Sequence, residues 1–295
     1  MPPRVSVVVP VLDGAGCIDR CLEALLAQTY PSDRLELIVV DNGSRDGTPE
    51  RVRRHPVTLL VERSERSPYA ARNAGIRRAG GEVLAFTDAD CVPAKDWLER
   101  GVAALERQAA DLVGGHVRFR FGGRPGAAQL MDAVTNLDQE RSVAERGVAK
   151  TGNLLVRRSV VEALGPFQAG RRSGGDVEFT GRATGAGFAL VYAADAVVEK
   201  PARGALALAR KQYRVGRGQA LLSRERGAGA GEILRRALRG LRPARPAVVR
   251  AGLERRGPAG CEGRTAAVWL TSWWIHVVHA AGLLHGWLGG AGGRR

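Results

Sequence analysis

The chain contains 295 residues, of which 44% are hydrophobic and 25% are charged. This length allows one large domain, or a medium-sized domain with an appendage, and the composition excludes a wholly disordered or collagen-like chain. The four cysteines are too sparse for a disulfide scaffold and include no C-x2-C pair, so we expect buried free thiols in a reducing compartment. They are Cys17, Cys21, Cys91 and Cys261.

Positive charge is concentrated in the C-terminal third of the chain. The formal net charge is +15; residues 1–200 contain 27 Lys and Arg against 26 Asp and Glu, whereas residues 201–295 contain 18 against 4. A nearly neutral domain is therefore followed by a basic tail, which predicts two different environments. This distribution argues against a nucleic-acid footprint over the whole chain.

The first apolar segment, residues 5–12, lacks the features of a signal peptide. It is short, Pro10 interrupts it, and it lacks a small-residue cleavage site. We therefore expect the N-terminal domain to remain in the cytoplasm.

Apolar runs and helical periodicities alternate along the first part of the chain. Strands are predicted at residues 5–9, 35–40, 57–61 and 82–87, and helices at 18–26 and 69–79. This alternation predicts an α/β domain with a mostly parallel sheet covered by helices. Further strands are predicted at 112–121, 151–156 and 188–198, and further helices at 159–164, 176–184, 205–222 and 233–253, the last interrupted by prolines. Residues 122–149 are treated as loop.

Acidic side chains follow two of the predicted strands. Asp41 follows residues 35–40, and Asp88 and Asp90 follow residues 82–87. Ligands bind at the carboxyl ends of the strands in such sheets, so the three carboxylates should face one cleft. Asp88 and Asp90 form an Asp-x-Asp pair whose oxygens suit Mg²⁺ or Mn²⁺ bound to a phosphate. The alternative is a pair of solvated carboxylates in a turn.

The sequence lacks a glycine-rich loop of the kind that binds phosphate. Gly14 and Gly16 match the first two glycines of G-x-G-x-x-G, but Asp19 occupies the third position, and the chain contains no P-loop motif. We therefore expect phosphate to be held through a metal ion.

Several ordered motifs resemble one enzyme family. Over roughly residues 4–200 the chain resembles the inverting family 2 glycosyltransferases, which have the Rossmann-like GT-A fold. The motifs are Val5 to Asp13, the stretch from Cys21 through Gln28-Thr29-Tyr30-Pro31, the Asp41 to Thr48 loop, Ala71-Arg72-Asn73-Ala74-Gly75, and Asp88-Ala89-Asp90.

The resemblance implies a role for each matching residue. The base and ribose of a nucleotide-sugar would contact Pro10, Val11, Leu12, Asp13 and Asp41. Arg72 would lie near its diphosphate, and Asp88 would contact the ribose and the metal. Asp88 and Asp90 would hold the metal, Mg²⁺ or Mn²⁺. Asp176 would be the catalytic base that takes the proton of an acceptor hydroxyl, and a single base without a carboxylate nucleophile implies inversion.

The chain departs from the family pattern at three places. Gly175 stands before the base where Glu is common, which leaves Glu178 as an alternative base. Lys200 stands where many relatives have a histidine near the metal or phosphate, and its ammonium group can pair with the diphosphate. The Q-x-x-R-W motif of processive synthases is missing near Gln212, so we expect transfer of one sugar per encounter. The structural alternatives are a surface position for Arg72 and a helix cap for Asp176.

The tail ends in an apolar, tryptophan-rich segment. Residues 265–293 contain no Asp, Glu, Lys or Arg but four of the five tryptophans. A helix over residues 265–288 would be about 36 Å long, which is enough to cross a hydrocarbon core of about 30 Å. Its histidines and glycines disfavour a span, whereas the basic helices upstream favour contact with an anionic membrane surface. Packing of this helix on the domain or on a partner, and nucleic-acid contact, are the alternatives.

These patterns predict three segments: a catalytic domain at 1–200, a basic helical extension at 201–264, and a membrane-associating or packing helix at 265–295, whose last residues, 289–295, should fray. The leading hypothesis is a metal-assisted glycosyltransferase at the inner face of the cytoplasmic membrane, acting on a lipid-linked or cell-envelope acceptor. The alternatives are a degenerate module that only binds nucleotide-sugars, and a basic membrane or nucleic-acid adaptor. Nucleotidyl transfer is disfavoured because Pro10 to Asp13 is not the glycine-rich basic loop that such enzymes carry.

Overall fold

The computed structural model describes residues 1–171, 173–225 and 227–289. The chain divides into two compact units. The first comprises Met1–Phe119 with Leu137–Lys200, and the second comprises Arg120–Asn136 with the chain from Pro201 onward. The predicted segment boundaries at residues 200 and 264 stay predictions, and the part of the last segment beyond residue 289, with its expected fraying, lies outside the described residues.

Eight strands form one sheet in the order β3-β2-β1-β4-β7-β6-β8-β5. The sheet is parallel where β1, β2, β3 and β4 pair, and antiparallel where β7 pairs with β4 and β6 and where β5 pairs with β8. The strands are β1 (Val5–Val11), β2 (Leu35–Asp41), β3 (Thr58–Val61), β4 (Val83–Thr87), β5 (Val92–Pro93), β6 (Leu112–Arg120), β7 (Asn153–Arg157) and β8 (Leu190–Pro201).

Helices of the first unit cover both faces of this sheet. The α-helices of the described residues, in chain order over both units, are α1 (Ile18–Leu26), α2 (Thr48–Val52), α3 (Pro68–Arg78), α4 (Trp97–Arg107), α5 (Ala127–Thr135), α6 (Gln139–Arg146), α7 (Arg158–Leu164), α8 (Gly175–Gly185), α9 (Ala205–Glu225), α10 (Ala230–Gly240), α11 (Pro246–Arg256) and α12 (Thr265–Gly289). Helix α5 and helices α9 to α12 belong to the second unit.

The two cores of the first unit follow from the alternation of side chains along the strands. In β1, Val5, Val7 and Val9 pack with α1 and α4, whereas Val8 lies in the core on the opposite face, with residues of α3 and α8. Each of these valines is at most 1% exposed. This valine-rich strand is therefore buried on both faces, as expected of a central parallel strand.

The stretch treated as loop, residues 122–149, contains two helices, α5 and α6. Helix α6 begins after Asp138, whose side chain accepts a hydrogen bond from the Arg141 backbone N–H, as an N-cap does. Both helices are short, 9 and 8 residues, and such lengths carry little periodic signal. The expectation of a loop here was therefore wrong.

In the second unit, α12 packs along α9. A Cβ atom added at Gly216 or Gly282 would clash with the backbone of the facing helix, so glycine permits the close approach of the two helices. Asp132 of α5 is fully buried and is compensated by the Arg203 guanidinium at 3.4 Å and the Lys211 ammonium at 3.9 Å. By length and composition, Glu262–Gly289 meets the criterion for a membrane span, a criterion that core helices of soluble proteins also meet.

All four cysteines are free thiols. Three of them are buried, and Cys17, at the start of α1, is half-buried. The expectation of free thiols is thus confirmed.

Candidate active site

The loops that follow β1 and β2 are joined through side chains. The Arg45 backbone N–H donates to Asp13 Oδ1 at 2.8 Å, and the Asp13 N–H donates to Ser44 Oγ at 2.8 Å. The buried Asp41 carboxylate accepts the N–H groups of Gly43 and Ser44 at 3.1 and 3.2 Å. Asp41 therefore holds the shape of its own loop, and this loop holds Asp13.

Exposed and buried positions alternate at the end of β1. Val11 pairs in register with Asp41 and is buried, Pro10 is half-buried, and Leu12 presents an exposed apolar side chain beside the exposed Asp13. A cavity of about 440 Å³ opens next to these loops and is lined by Asn42, Gly43, Ser44, Arg45, Glu62, Arg63 and Arg66. Neither this cavity nor a larger one of about 520 Å³, around Met1, Arg34 and Glu106, is lined by any of the predicted site residues.

The Ala71-Arg72-Asn73-Ala74-Gly75 motif lies on α3, and three of its residues have separate tasks. Gly75 packs directly against Val8 of the sheet, where a Cβ atom would clash. Asn73 donates to the Phe167 carbonyl at 2.7 Å and accepts from the Phe167 N–H at 3.1 Å. Arg72 is only 4% exposed and pairs with Asp88 Oδ1 at 2.7 Å. The alternative of a helix-surface position for Arg72 is therefore wrong.

Asp88, Asp90 and Lys200 form one charged cluster. Lys200 Nζ lies 3.0 Å from Asp88 Oδ2, also hydrogen-bonds to Asp90 Oδ1, and lies 3.6 Å from Cys91 Sγ. Both carboxylates are about one-third exposed, whereas Lys200 is buried. The pair predicted to converge does converge, and a cation of the protein itself bridges the two carboxylates.

Asp176 lies in the first turn of α8, where carboxylates are favoured by the helix dipole. Its Oδ1 accepts the Tyr69 hydroxyl at 3.2 Å and the Val177 N–H at 3.0 Å. Burial, followed by the nearby Asp176 charge, raises the pKa of the Tyr69 hydroxyl, so this group stays protonated and remains a donor. The N-cap of α8 is Gly174, so Asp176 does not occupy the cap position proposed as the alternative.

Gly175 is explained by the same tyrosine. A Cβ atom added at Gly175 would lie 2.9 Å from carbons of the Tyr69 ring. We expect Gly175→Ala to lower the free energy of unfolding by about 1–3 kcal/mol, because the ring must move to admit the methyl group. The control is Gly185→Ala at the other end of α8, where no atom lies within 4 Å and the change should be neutral or slightly stabilising. Urea unfolding measures both variants, and equal stability of the two would contradict this explanation.

Glu178, the alternative base, is bound to other partners. Its Oε1 accepts from Arg182 Nε at 3.2 Å and from Gln168 Nε2 at 3.1 Å. This ion pair along α8 favours Asp176 over Glu178 as the base, a choice that stays a prediction.

Contacts link five of the eleven predicted site residues into one chain. Asp90 and Asp88 are joined through Lys200, Asp88 is paired with Arg72, and Arg72 lies over the Tyr69 ring at 5.6 Å. Tyr69 in turn donates to Asp176. The loop that carries Asp13 lies beside this chain, because a Cβ atom added at the adjacent Gly14 would be 3.9 Å from the Cβ of Ala89, the residue between Asp88 and Asp90.

Two carboxylates and one thiol near Asp88 could bind a divalent ion. Ligand atoms of Asp88, Asp90 and Cys91 lie within 4.8 Å of one another. Two carboxylates suit Mg²⁺ or Mn²⁺. Burial raises the pKa of the Cys91 thiol to about 12, so the thiol stays protonated and is a poor ligand. The residues thus fit such an ion through the two carboxylates of Asp88 and Asp90.

Two contacts of the site could not be predicted from the sequence. Tyr69 follows an ordinary helix start, and nothing in its neighbourhood marks it as the partner of Asp176, 107 residues away. Asn73 lies within the recognised motif, but its link to Phe167 depends on a loop whose path was not predicted.

Comparison with known proteins gives the class. The family model described as glycosyl transferase family 2 matches residues 6–174. The glycosyltransferase AglE of Haloferax volcanii is 46% identical over 222 residues, which are 74% of this chain and 73% of that protein. The chain belongs to glycosyl transferase family 2, and it is a glycosyltransferase.

Solved structures agree on the fold. The mannosyltransferase PcManGT of Pyrobaculum calidifontis, determined with GDP-Man and Mn²⁺, has a TM-score of 0.62 at 24% identity, covering 100% of this chain and 77% of that one. S. aureus TarS residues 1–349 with UDP-GlcNAc has a TM-score of 0.54 at 17% identity, covering 99% and 92%. The predicted GT-A fold is confirmed.

Proposed function

We propose that the protein transfers a single sugar from a nucleoside-diphosphate sugar to an acceptor hydroxyl, with inversion and with the help of Mg²⁺ or Mn²⁺. The observation that carries this proposal is the connected cluster of Asp90, Lys200, Asp88 and Arg72, which reaches Asp176 through Tyr69. Two carboxylates and two buried cations suit a diphosphate with its metal, and a separate carboxylate suits proton abstraction.

Different residues of the site bind the donor and the acceptor. Leu12, Asp13 and Asp41 border the base and ribose, and Arg72 and Lys200 offer positive charge to the diphosphate. A bound divalent ion, held by Asp88 and Asp90, supplies positive charge that stabilises the departing nucleoside diphosphate. Residues 1–200 are thus assigned to catalysis.

Asp176 acts on the acceptor. Its Oδ1 already accepts two hydrogen bonds, so Oδ2 is the atom assigned to take the proton of the acceptor hydroxyl. The acceptor oxygen forms its bond to the sugar C1 as the bond from C1 to the diphosphate oxygen breaks on the opposite side. One displacement of this kind inverts the anomeric centre.

The experiment is a donor screen with the full chain. UDP-, GDP- and dTDP-sugars are incubated with Mn²⁺, and release of nucleoside diphosphate is followed with and without EDTA. The proposal expects slow release from at least one donor and a marked decrease in EDTA. Tight nucleotide binding with no release, with or without a panel of hydroxyl acceptors, would instead favour the degenerate binding module.

The second unit is assigned to an anionic membrane surface, which would bring the enzyme to a lipid-linked acceptor on the cytoplasmic side. On α10, Leu234 and Leu238 are exposed beside Arg235 and Arg239, whereas Ile233 and Ala237 are buried. The exposed Trp273 ring of α12 joins the end of this helix, because its Nε1 donates to the Leu241 carbonyl at 2.8 Å. Apolar side chains flanked by arginines suit the headgroup region of a bilayer.

We expect Arg235→Ala combined with Arg239→Ala to weaken binding to anionic vesicles. Each arginine near such a surface contributes about 1 kcal/mol, so the double variant should bind about 30-fold more weakly. Sedimentation with vesicles of phosphatidylglycerol and phosphatidylcholine measures the effect. The matched control, Arg20→Ala with Arg54→Ala, removes the same charge from exposed positions of the first unit and should bind as the unmodified protein does. Equal weakening in both would refute a specific role of α10.

A further inference from the structure

The ammonium group of Lys200 occupies the position between the two carboxylates of the Asp-x-Asp pair. Lys200 is only 1% exposed. Its Nζ hydrogen-bonds to Asp88 Oδ2 and to Asp90 Oδ1, and the remaining oxygen of Asp88 accepts from Arg72. A divalent ion that binds both aspartates must therefore share Asp88 with protein cations, because each oxygen of that carboxylate already contacts one.

Among the described residues, the formal charges of these four side chains balance without a metal. Asp88 and Asp90 carry two negative charges, and Arg72 and Lys200 carry two positive charges. Entry of Mg²⁺ or Mn²⁺ alone would leave an excess of two positive charges in a site whose cations are buried, which is unfavourable. A diphosphate that enters with the ion brings about two negative charges and restores the balance.

The backbone fixes this position of Lys200. Strand β8 pairs with β5 in antiparallel register, with Glu199 opposite Val92 and Val198 opposite Pro93. This pairing puts Lys200 beside Cys91, whose buried sulfur lies 3.6 Å from Nζ. A buried lysine stem has little rotamer freedom, so the ammonium group is held at the carboxylates rather than reaching them occasionally.

We infer that Lys200 is a resident cation that competes with the divalent ion for Asp88 and Asp90, so that the ion binds firmly only together with the diphosphate of the donor. The second half of this inference rests on the proposed function, whereas the competition itself does not. Mn²⁺ affinity without nucleotide should therefore be set by Lys200, and Mn²⁺ affinity with nucleotide should depend on the donor site.

The test measures Mn²⁺ binding by the electron paramagnetic resonance signal of the free ion. The full chain and the Lys200→Met variant are titrated in the absence of nucleotide, and the full chain is also titrated with GDP or UDP present. We expect Lys200→Met to bind Mn²⁺ at least about tenfold more tightly than the unmodified protein, and either nucleotide that binds to raise the affinity of the unmodified protein by a similar factor. Lys95→Met, at an exposed position, is the matched control and should leave Mn²⁺ affinity unchanged.

Thermal unfolding distinguishes competition from a folding defect. In EDTA, Lys200→Met should melt below the unmodified protein, because both aspartates lose the ammonium group that now contacts them, and Mn²⁺ should restore the melting temperature of this variant alone. Unchanged Mn²⁺ affinity in Lys200→Met, or no rescue of its melting temperature, would overturn the competition. Failure of every nucleotide to bind or to raise Mn²⁺ affinity, with the gain in Lys200→Met intact, would instead count against the proposed function and its donor-dependent metal entry.

Discussion

Asp176→Asn is expected to lower the rate of sugar transfer by about 10²- to 10⁴-fold, the range that a positioned general base contributes. The amide keeps the size of the side chain and can still accept the Tyr69 hydroxyl and the Val177 N–H, which now bind the carboxylate. It cannot accept the proton of an acceptor hydroxyl. Nucleotide binding, measured by calorimetry, should therefore stay close to that of the unmodified protein.

Glu178→Gln is the matched control, since it makes the same change two residues along the same helix. Glu178 pairs with Arg182 and contacts Gln168, so its loss should affect the local ion pair rather than transfer. We expect a rate change of less than about tenfold. A larger loss in Glu178→Gln than in Asp176→Asn would reassign the base to Glu178.

Arg72→Met is expected to lower the free energy of unfolding by about 2–3 kcal/mol and to weaken nucleotide binding. Removal of one partner of a buried ion pair leaves the other charge uncompensated, and here the loss is moderated because Lys200 also contacts Asp88. The methionine retains most of the apolar stem but loses the guanidinium group that lies over the Tyr69 ring. Urea unfolding and calorimetry with GDP and UDP measure the two effects.

Arg77→Met on the same helix is the control for lost charge. Arg77 is two-thirds exposed and pairs with Glu62 at 3.6 Å, so its removal should cost less than about 0.5 kcal/mol. A similar destabilisation in both variants would show that Arg72 acts as an ordinary surface charge.

The parallel part of the sheet was predictable because its strands carry strong local signals. Residues 5–9 contain four valines, interrupted only by Ser6, and the turn residues after Asp41 mark the end of the next strand. The antiparallel part was not predictable in its order, because β5 is only two residues long and β8 pairs with it from far along the chain. Helices α5 and α6 were missed because short helices depend on tertiary packing more than on their own sequence.

The site was predictable where spacing alone brings groups together. Asp88 and Asp90 follow one strand and converge, as expected for residues two apart. The bridge from Lys200 to both carboxylates could not be derived, because it depends on the register between β5 and β8. The contact of Tyr69 with Asp176 likewise depends on how α3 and α8 pack.

The reason for a glycine at position 175 is its contact with Tyr69, which is distant in the sequence. The resemblance marked this glycine as a departure that put the base in doubt. The Tyr69 ring occupies the room that a side chain at position 175 would need, and the same tyrosine donates to Asp176. Gly175 thus leaves room for the Tyr69 ring, and the Tyr69 hydroxyl holds the Asp176 carboxylate through a hydrogen bond.

A crystal structure with Mn²⁺ and the nucleoside-diphosphate sugar that binds best is the most direct test of the proposed donor site and catalytic base. We expect the ion on Asp88 and Asp90, the base near Leu12 and Asp41, Lys200 turned toward the diphosphate, and the Asp176 carboxylate facing the sugar C1 from the side opposite the leaving group. A nucleotide bound elsewhere, or Asp176 separated from C1 by protein atoms, would contradict the proposed site.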